Sequence, residues 1–222
     1  MRLGWLDGLD SVTDTWDDRV RDLRDYFALD GGMPSFSGSR FEVFGQNRWD
    51  RIDADDLVAV EMLSVRVPGH AALRFLERET HMITALLTRI PTDLELHEPE
   101  ARDHLRDDGP AAALWELLRS RHGRHGVGPV TASKLLARKR PLLVPVWDSI
   151  VKQELRPVSL RNHWTTMHEL LSDGDRVDRL RRLHSEANVP AQVGVLRTFD
   201  VLLWMKGKNA KATREQQCSD TI

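Results

Sequence analysis

Apolar residues recur at helical spacing along most of this chain. Trp16, Val20, Leu23 and Phe27 mark one face of an amphipathic helix predicted over 12–28, behind the capping pattern Ser11-Val12-Thr13-Asp14. Asp30-Gly31-Gly32 and Pro34 stop it. Residues 34–50 lose the period and read as an ordered loop, with a short strand pair at Phe41–Phe44. Asp53-Ala54-Asp55-Asp56 then caps a helix through Leu57, Val60, Glu61 and Leu63 whose strongly apolar face predicts burial. Pro68 and Gly69 interrupt the chain ahead of a helix over about 80–90.

In the second half, Leu114, Trp115, Leu117 and Leu118 place a helix over 110–121, and a further one runs from Pro129 to Lys139. Arg140 to Val146 reads as an extended link carrying two prolines. Helices follow over about 148–155, 159–172, 174–187 and 192–205, the last marked by Leu196, Phe199, Leu202 and Leu203. The predicted class is all-α, a helical bundle with one loop or short hairpin insertion near residues 31–50. The acidic segment 91–109, with Pro91, Pro99 and Gly109, is the predicted boundary between an N-terminal helical region (1–109) and a second one (110–205) packed on it. Residues 206–222, nearly free of apolar side chains, are expected to be a disordered tail.

Composition narrows the options. A chain of 222 residues suits one domain or two small subdomains sharing a core. The first residues lack the apolar run of a signal peptide, and no segment reaches the roughly 18–20 apolar residues that span a bilayer. A cytoplasmic protein with no membrane partner is the expectation. With one cysteine, neither a disulfide framework nor a cysteine-ligated cluster can form. His122, His125, His163, His168 and His184 show no metal-binding spacing, so no metal or other cofactor is expected. Charge is unevenly distributed. Residues 1–110 hold 13 Lys+Arg against 23 Asp+Glu, and residues 111–222 hold 19 against 11. The basic half suits a polyanion, although the preference for arginine over lysine runs through both halves.

The basic half also carries the stretch with the clearest chemistry. Gly126-Val127-Gly128-Pro129-Val130-Thr131-Ala132 reads as the tight turn of a helix-hairpin-helix, with glycines for conformational freedom and Pro129 at a first helical turn. Amides at such a helix start, with the helix dipole behind them, suit a phosphate oxygen. The expected DNA-backbone contacts are Gly126, Val127, Gly128, Thr131, Lys134 and Arg138, while Leu135 and Leu136 face the core. A grip of this kind positions a duplex and reads no base.

Residues 126–151 resemble the helix-hairpin-helix segment of the DNA glycosylase superfamily that includes endonuclease III. The link Pro141-Leu142-Leu143-Val144-Pro145-Val146-Trp147-Asp148 ends where those enzymes keep their catalytic carboxylate. The resemblance implies that Asp148 stabilises positive charge on a sugar or orients a water. Val130 stands where members with lyase activity carry a Schiff-base lysine, so a monofunctional enzyme is implied. His125 replaces a usual proline, and Trp147 adds a residue before Asp148. Trp147 is also a candidate for stacking on a flipped base. Against these stand plainer roles: Asp148 is an ordinary N-cap for the helix after it, and a hairpin can serve packing alone. The whole chain further resembles a bacterial family of unknown function, through Phe36-Ser37-Gly38-Ser39-Arg40-Phe41-Glu42, Asp55-Asp56-Leu57-Val58-Ala59-Val60 and the hairpin with Val146-Trp147-Asp148-Ser149. Three functions remain: a DNA glycosylase-like enzyme, a DNA-binding module without catalysis, and a protein-interaction or structural domain that keeps only the fold.

Overall fold

The first long helix, α1 (Trp16–Phe27), follows its apolar face: Leu23, Tyr26 and Phe27 are buried, and Asp17 and Asp18 sit at the positive end of its dipole. Ala28 turns left-handed (φ 52°), and the Leu29 amide reaches back to the Arg24 carbonyl at 3.0 Å, closing the helix in a Schellman arrangement. Gly31 and Gly32, at φ 90° and 104°, then supply backbone angles that other residues rarely adopt. This is a computed structural model that describes residue 6 and residues 16–119, 125–155 and 160–219, without the side chains of 160–162, 212 and 214–219. The capping pattern predicted at 11–14 lies outside the described residues.

A single 3-10 turn, Ser37–Arg40, replaces the strand pair expected at Phe41–Phe44, and no strand occurs among the described residues. The loop around it is held by side-chain donors rather than by a ladder. Then come α2 (Ala54–Glu61), α3 (Gly69–Leu73) running into a π-type turn at Arg74–Arg78, α4 (Thr80–Leu87), α5 (Ala101–Leu105), α6 (Pro110–Arg119) and α7 (Pro129–Lys139). The chain continues through α8 (Ser149–Leu155), α9 (Leu160–Leu171), α10 (Gly174–Glu186) and α11 (Val195–Ser219). The capping box of α2 is present, with the Asp53 amide donating to Asp56 Oδ2 at 2.8 Å. The expected tail is instead helix as far as Ser219.

Packing divides the helices into two groups that follow chain order except for α1. α2 and α6 pack on α7, and α4 and α5 pack on α6. In the other group, α8, α10 and the N-terminal α1 pack on α11, and α9 lies against α8 and α10. The segment 91–109 is threaded into the core: Leu96 and Ala101 are buried, the Leu96 amide donates to the Leu142 carbonyl at 2.9 Å, and α5 packs on α9. One hydrophobic core thus serves both groups. Among the described residues no helix is long and apolar enough to cross a membrane.

Candidate functional site

α7 is the centre of this arrangement, and from Thr131 to Lys139 every residue is buried. Leu135 and Leu136 reach the core as their spacing predicts. The basic residues do the same, against expectation. Lys134 is 2% exposed and Arg138 1%, so neither can meet an external phosphate. Arg138 donates to Asp56 Oδ1 at 3.2 Å and to the carbonyls of Phe41, Glu42 and Phe44. Lys139 bonds Asp56, Asn47 Oδ1 and the Arg48 carbonyl, and Arg140 takes the carbonyls of Leu87, Ile90 and Trp49. A loop without regular structure leaves carbonyls to satisfy, and α7 supplies the donors. The charge asymmetry of the sequence is in part neutralised internally, with Asp56 and Glu42 of the acidic half meeting Arg138, Lys139 and Arg197 of the basic half.

Only the amino end of α7 faces outward. Gly128 and Pro129 are exposed, and Pro129 occupies the first helical turn. The Val127 amide donates to Leu118 at 3.4 Å, its side chain is buried, and Thr131 is 8% exposed. Arg74 fixes this end from behind, donating to the carbonyls of His125, Leu117 and Leu118. Gly128 has φ −66° and ψ 164°, ordinary extended backbone, and a Cβ there would meet nothing within 4 Å. Neither strain nor internal crowding therefore requires a glycine at that position.

Asp148 borders a pocket of about 190 Å³ between the two helical groups. Its Oδ1 accepts the Ile150 amide at 2.9 Å, which caps α8, and its Oδ2 lies 3.4 Å from the Lys134 ammonium. Asp148 is thus a cap and a pocket residue at once. Lys134 also donates to the Leu63 carbonyl at 2.6 Å. Burial pushes the Lys134 amine below its ordinary proton affinity, and Asp148 offsets part of that fall. One wall is aromatic: Tyr26 and Phe36 stack at 5.4 Å, and the Trp204 ring meets both edge-on.

The floor holds a charged cluster absent from the sequence-based expectations. Arg197 lies 2.7 Å from Glu42 Oε1 and donates to the Tyr26 hydroxyl at 2.8 Å. Burial opposes the Arg197 charge, yet Glu42, Tyr26 and Asp200 hold its proton affinity above the ordinary value. Asp200, 2% exposed, accepts the Val146 amide on Oδ2 at 2.9 Å, while no donor among the described residues bonds Oδ1. Burial pushes its carboxyl up to about 7 despite Arg197, and burial likewise raises that of Glu42. Arg197 and Asp200 did leave a trace in the sequence. They interrupt Leu196, Phe199, Val201, Leu202 and Leu203, a helix stretch apolar nearly all round, which is where buried charges occur.

Trp147 does not border this pocket. Its ring is 8% exposed and meets His163 edge-on at 4.9 Å, in the core beside α8. His163 is fully buried, and burial holds its imidazole down at about 4.

Residues 19–207 match the model of a family of unknown function, DUF6308, and the chain belongs to that family. The matched span contains every pocket residue from Tyr26 to Trp204. No curated protein and no solved structure matches the chain.

Proposed function

We propose that this protein binds DNA through the amino end of α7 and receives a displaced nucleobase in the pocket beside Asp148. The reaction would be that of a monofunctional glycosylase-like enzyme. The observation that carries this reading is the pocket itself. An anchored carboxylate, a buried ammonium and an aromatic wall converge on a space below the roughly 300–1,000 Å³ of pockets that enclose a drug-sized ligand. A single heterocycle suits that size. Lys134 follows Gly128 by six residues, about 9 Å along the helix axis, so the exposed start of the helix and the pocket belong to one element.

Chemically, Asp148 would face positive charge developing on a sugar as the base departs, its orientation fixed by the Ile150 amide. Val130 leaves no amine at the position that lyase chemistry uses in the superfamily this segment resembles. A second reading, a structural or protein-interaction domain, is favoured by one observation: Lys134, Arg138, Lys139 and Arg140 all point inward.

Fluorescence anisotropy with a short duplex at low salt separates the two. The DNA reading expects binding that weakens steeply with salt. It also expects a loss on the order of tenfold or more in Arg121→Glu plus Arg124→Glu, the cations directly ahead of Gly126 in the chain. Undetectable binding, or binding indifferent to salt and to both substitutions, overturns it.

A further inference from the structure

The floor of the pocket contains a recognition group that neither the hairpin nor Asp148 accounts for. We propose that Asp200 selects the ligand, accepting on Oδ1 an N–H from the edge of a planar heterocycle lodged against the Tyr26, Phe36 and Trp204 wall. This rests on the reading of the pocket as a nucleobase site and is independent of the backbone grip.

Three observations support it. Asp200 is 2% exposed and lines the pocket, and its Oδ1 receives no donor among the described residues, an uncommon condition for a buried carboxylate. The other oxygen is fixed by the Val146 amide at 2.9 Å, and Oδ1 itself has almost no open surface, so a turn of the carboxylate toward the pocket accompanies binding. The rings of the wall are fixed against one another, Tyr26 on Phe36 with 14° between their planes, which limits how a flat ligand can lie against them. Asp200 also borders a small void of about 10 Å³ beside Phe41, Glu42 and Arg197. That void is too small for a ring, which leaves the main pocket as the place for one.

A site built around an unsatisfied acceptor discriminates strongly against an analogue lacking the matching N–H, because the buried oxygen then stays unpaired. Uracil fits this description, with N–H groups on its ring, and 1,3-dimethyluracil has the same ring with both replaced by methyl. The charge on Asp200 matters as well. Burial moves its titration up to about 7; Arg197 and the Val146 amide favour the charge, and Glu42 and Asp148 oppose it. Lys134 of α7 completes the charged groups lining this pocket. Above that pH Asp200 is an acceptor only; below it, it also donates.

Calorimetric titration of the full chain at pH 8 with uracil, adenine and cytosine, beside 1,3-dimethyluracil, tests the assignment. Uracil should bind at least tenfold more tightly than its dimethyl analogue. Asp200→Asn, which keeps an acceptor for Val146 but can turn an amide N–H toward the ligand, should abolish that ratio. No detectable base at millimolar concentration, equal binding of the two uracils to the wild-type chain, or an unchanged ratio in Asp200→Asn overturns the assignment. The wild-type comparison stands even where the variant fails to fold. Base binding without DNA binding would remove the grip and leave Asp200; DNA binding without base binding would do the reverse.

Discussion

Two buried carboxylate clusters, one met by Arg138 and Lys139 of α7 and the other by Arg197 of α11, are completed differently. Around Asp56, Arg138 and Lys139 meet the carboxylate directly, Asp53 donates an amide, and the cations spend their remaining donors on loop carbonyls. Around Asp200, the carboxylate keeps one oxygen without a donor, Glu42 and Asp200 are both pushed toward their protonated forms, and a cavity adjoins. A fully satisfied network rigidifies, whereas a partly satisfied one is costly in isolation. Perturbed carboxyls beside a cavity are characteristic of functional sites. The first cluster is scaffold for the 31–50 loop; the second is where chemistry is expected.

Substitutions can break this contrast. The largest effect should come from Arg138→Ala, which leaves Asp56 without one of its two cations and the carbonyls of Phe41, Glu42 and Phe44 without their donor. The expected loss is roughly 3–5 kcal/mol in denaturant unfolding. A loss below about 1 kcal/mol would show that the Asp56 cluster does not hold the loop. For the same reason, charge reversal at Lys134 or Arg138 reports on folding, not on DNA contact.

Asp200→Asn should act in the opposite direction. An ordinary aspartate releases its proton near 3.8, whereas folded Asp200 does so at about 7. Between those values the folded chain binds more protons than the unfolded one, so this group's contribution falls as pH rises. The shift corresponds to a cost of at most roughly 4 kcal/mol above pH 7. The variant should therefore be more stable than wild type at pH 8, by more than at pH 5. His163 has the opposite slope: held down at about 4 from an ordinary 6.5, it lowers stability as pH falls through that interval. Asp200→Asn should leave that slope exposed. Thermal melts across pH 4–8 check both signs, and an Asp200→Asn chain less stable than wild type at pH 8 would contradict them.

A smaller effect belongs to the pocket rim. A Cβ at Gly38 would run into the Tyr26 hydroxyl and lie 2.9 Å from Leu63 Cδ2. Gly38→Ala should cost about 1–3 kcal/mol and reduce ligand binding, since Tyr26 must move. Gly128→Ala is the smallest case. With open space at its Cβ and an ordinary φ, stability should change by no more than about 0.5 kcal/mol. A fall in DNA affinity in that variant, measured by anisotropy, would identify Gly128 as a point of close approach from outside.

Most helices were legible because their periodicity follows directly from burial of one face, as for α1, α2, α7 and α11. The capping box at Asp53 was legible too, since its bonds are local in sequence. The polar core was not. Nothing in the spacing of Lys134, Arg138, Lys139 and Arg140 states that most of their partners lie between 41 and 90, so a largely buried basic helix reads as a surface one. Trp147 was misplaced by its neighbourhood in the chain, because its partner His163 lies sixteen positions away. The aromatic wall depends on Tyr26, Phe36 and Trp204 converging from three separate segments, and only Arg197 and Asp200, charges in an apolar stretch, left a readable trace.

The most direct measurement is single-turnover release of base from duplex DNA by wild type and Asp148→Asn, with binding to the same duplex followed in parallel. Asn keeps a side-chain oxygen to cap Ile150 but removes the carboxylate from Lys134, so the thermal melt of the variant is followed beside its binding to show that it is folded. Equal binding by the two proteins and base release by the wild-type chain alone are expected. Equal release by both, or no release from any duplex that the wild-type chain binds, would contradict it.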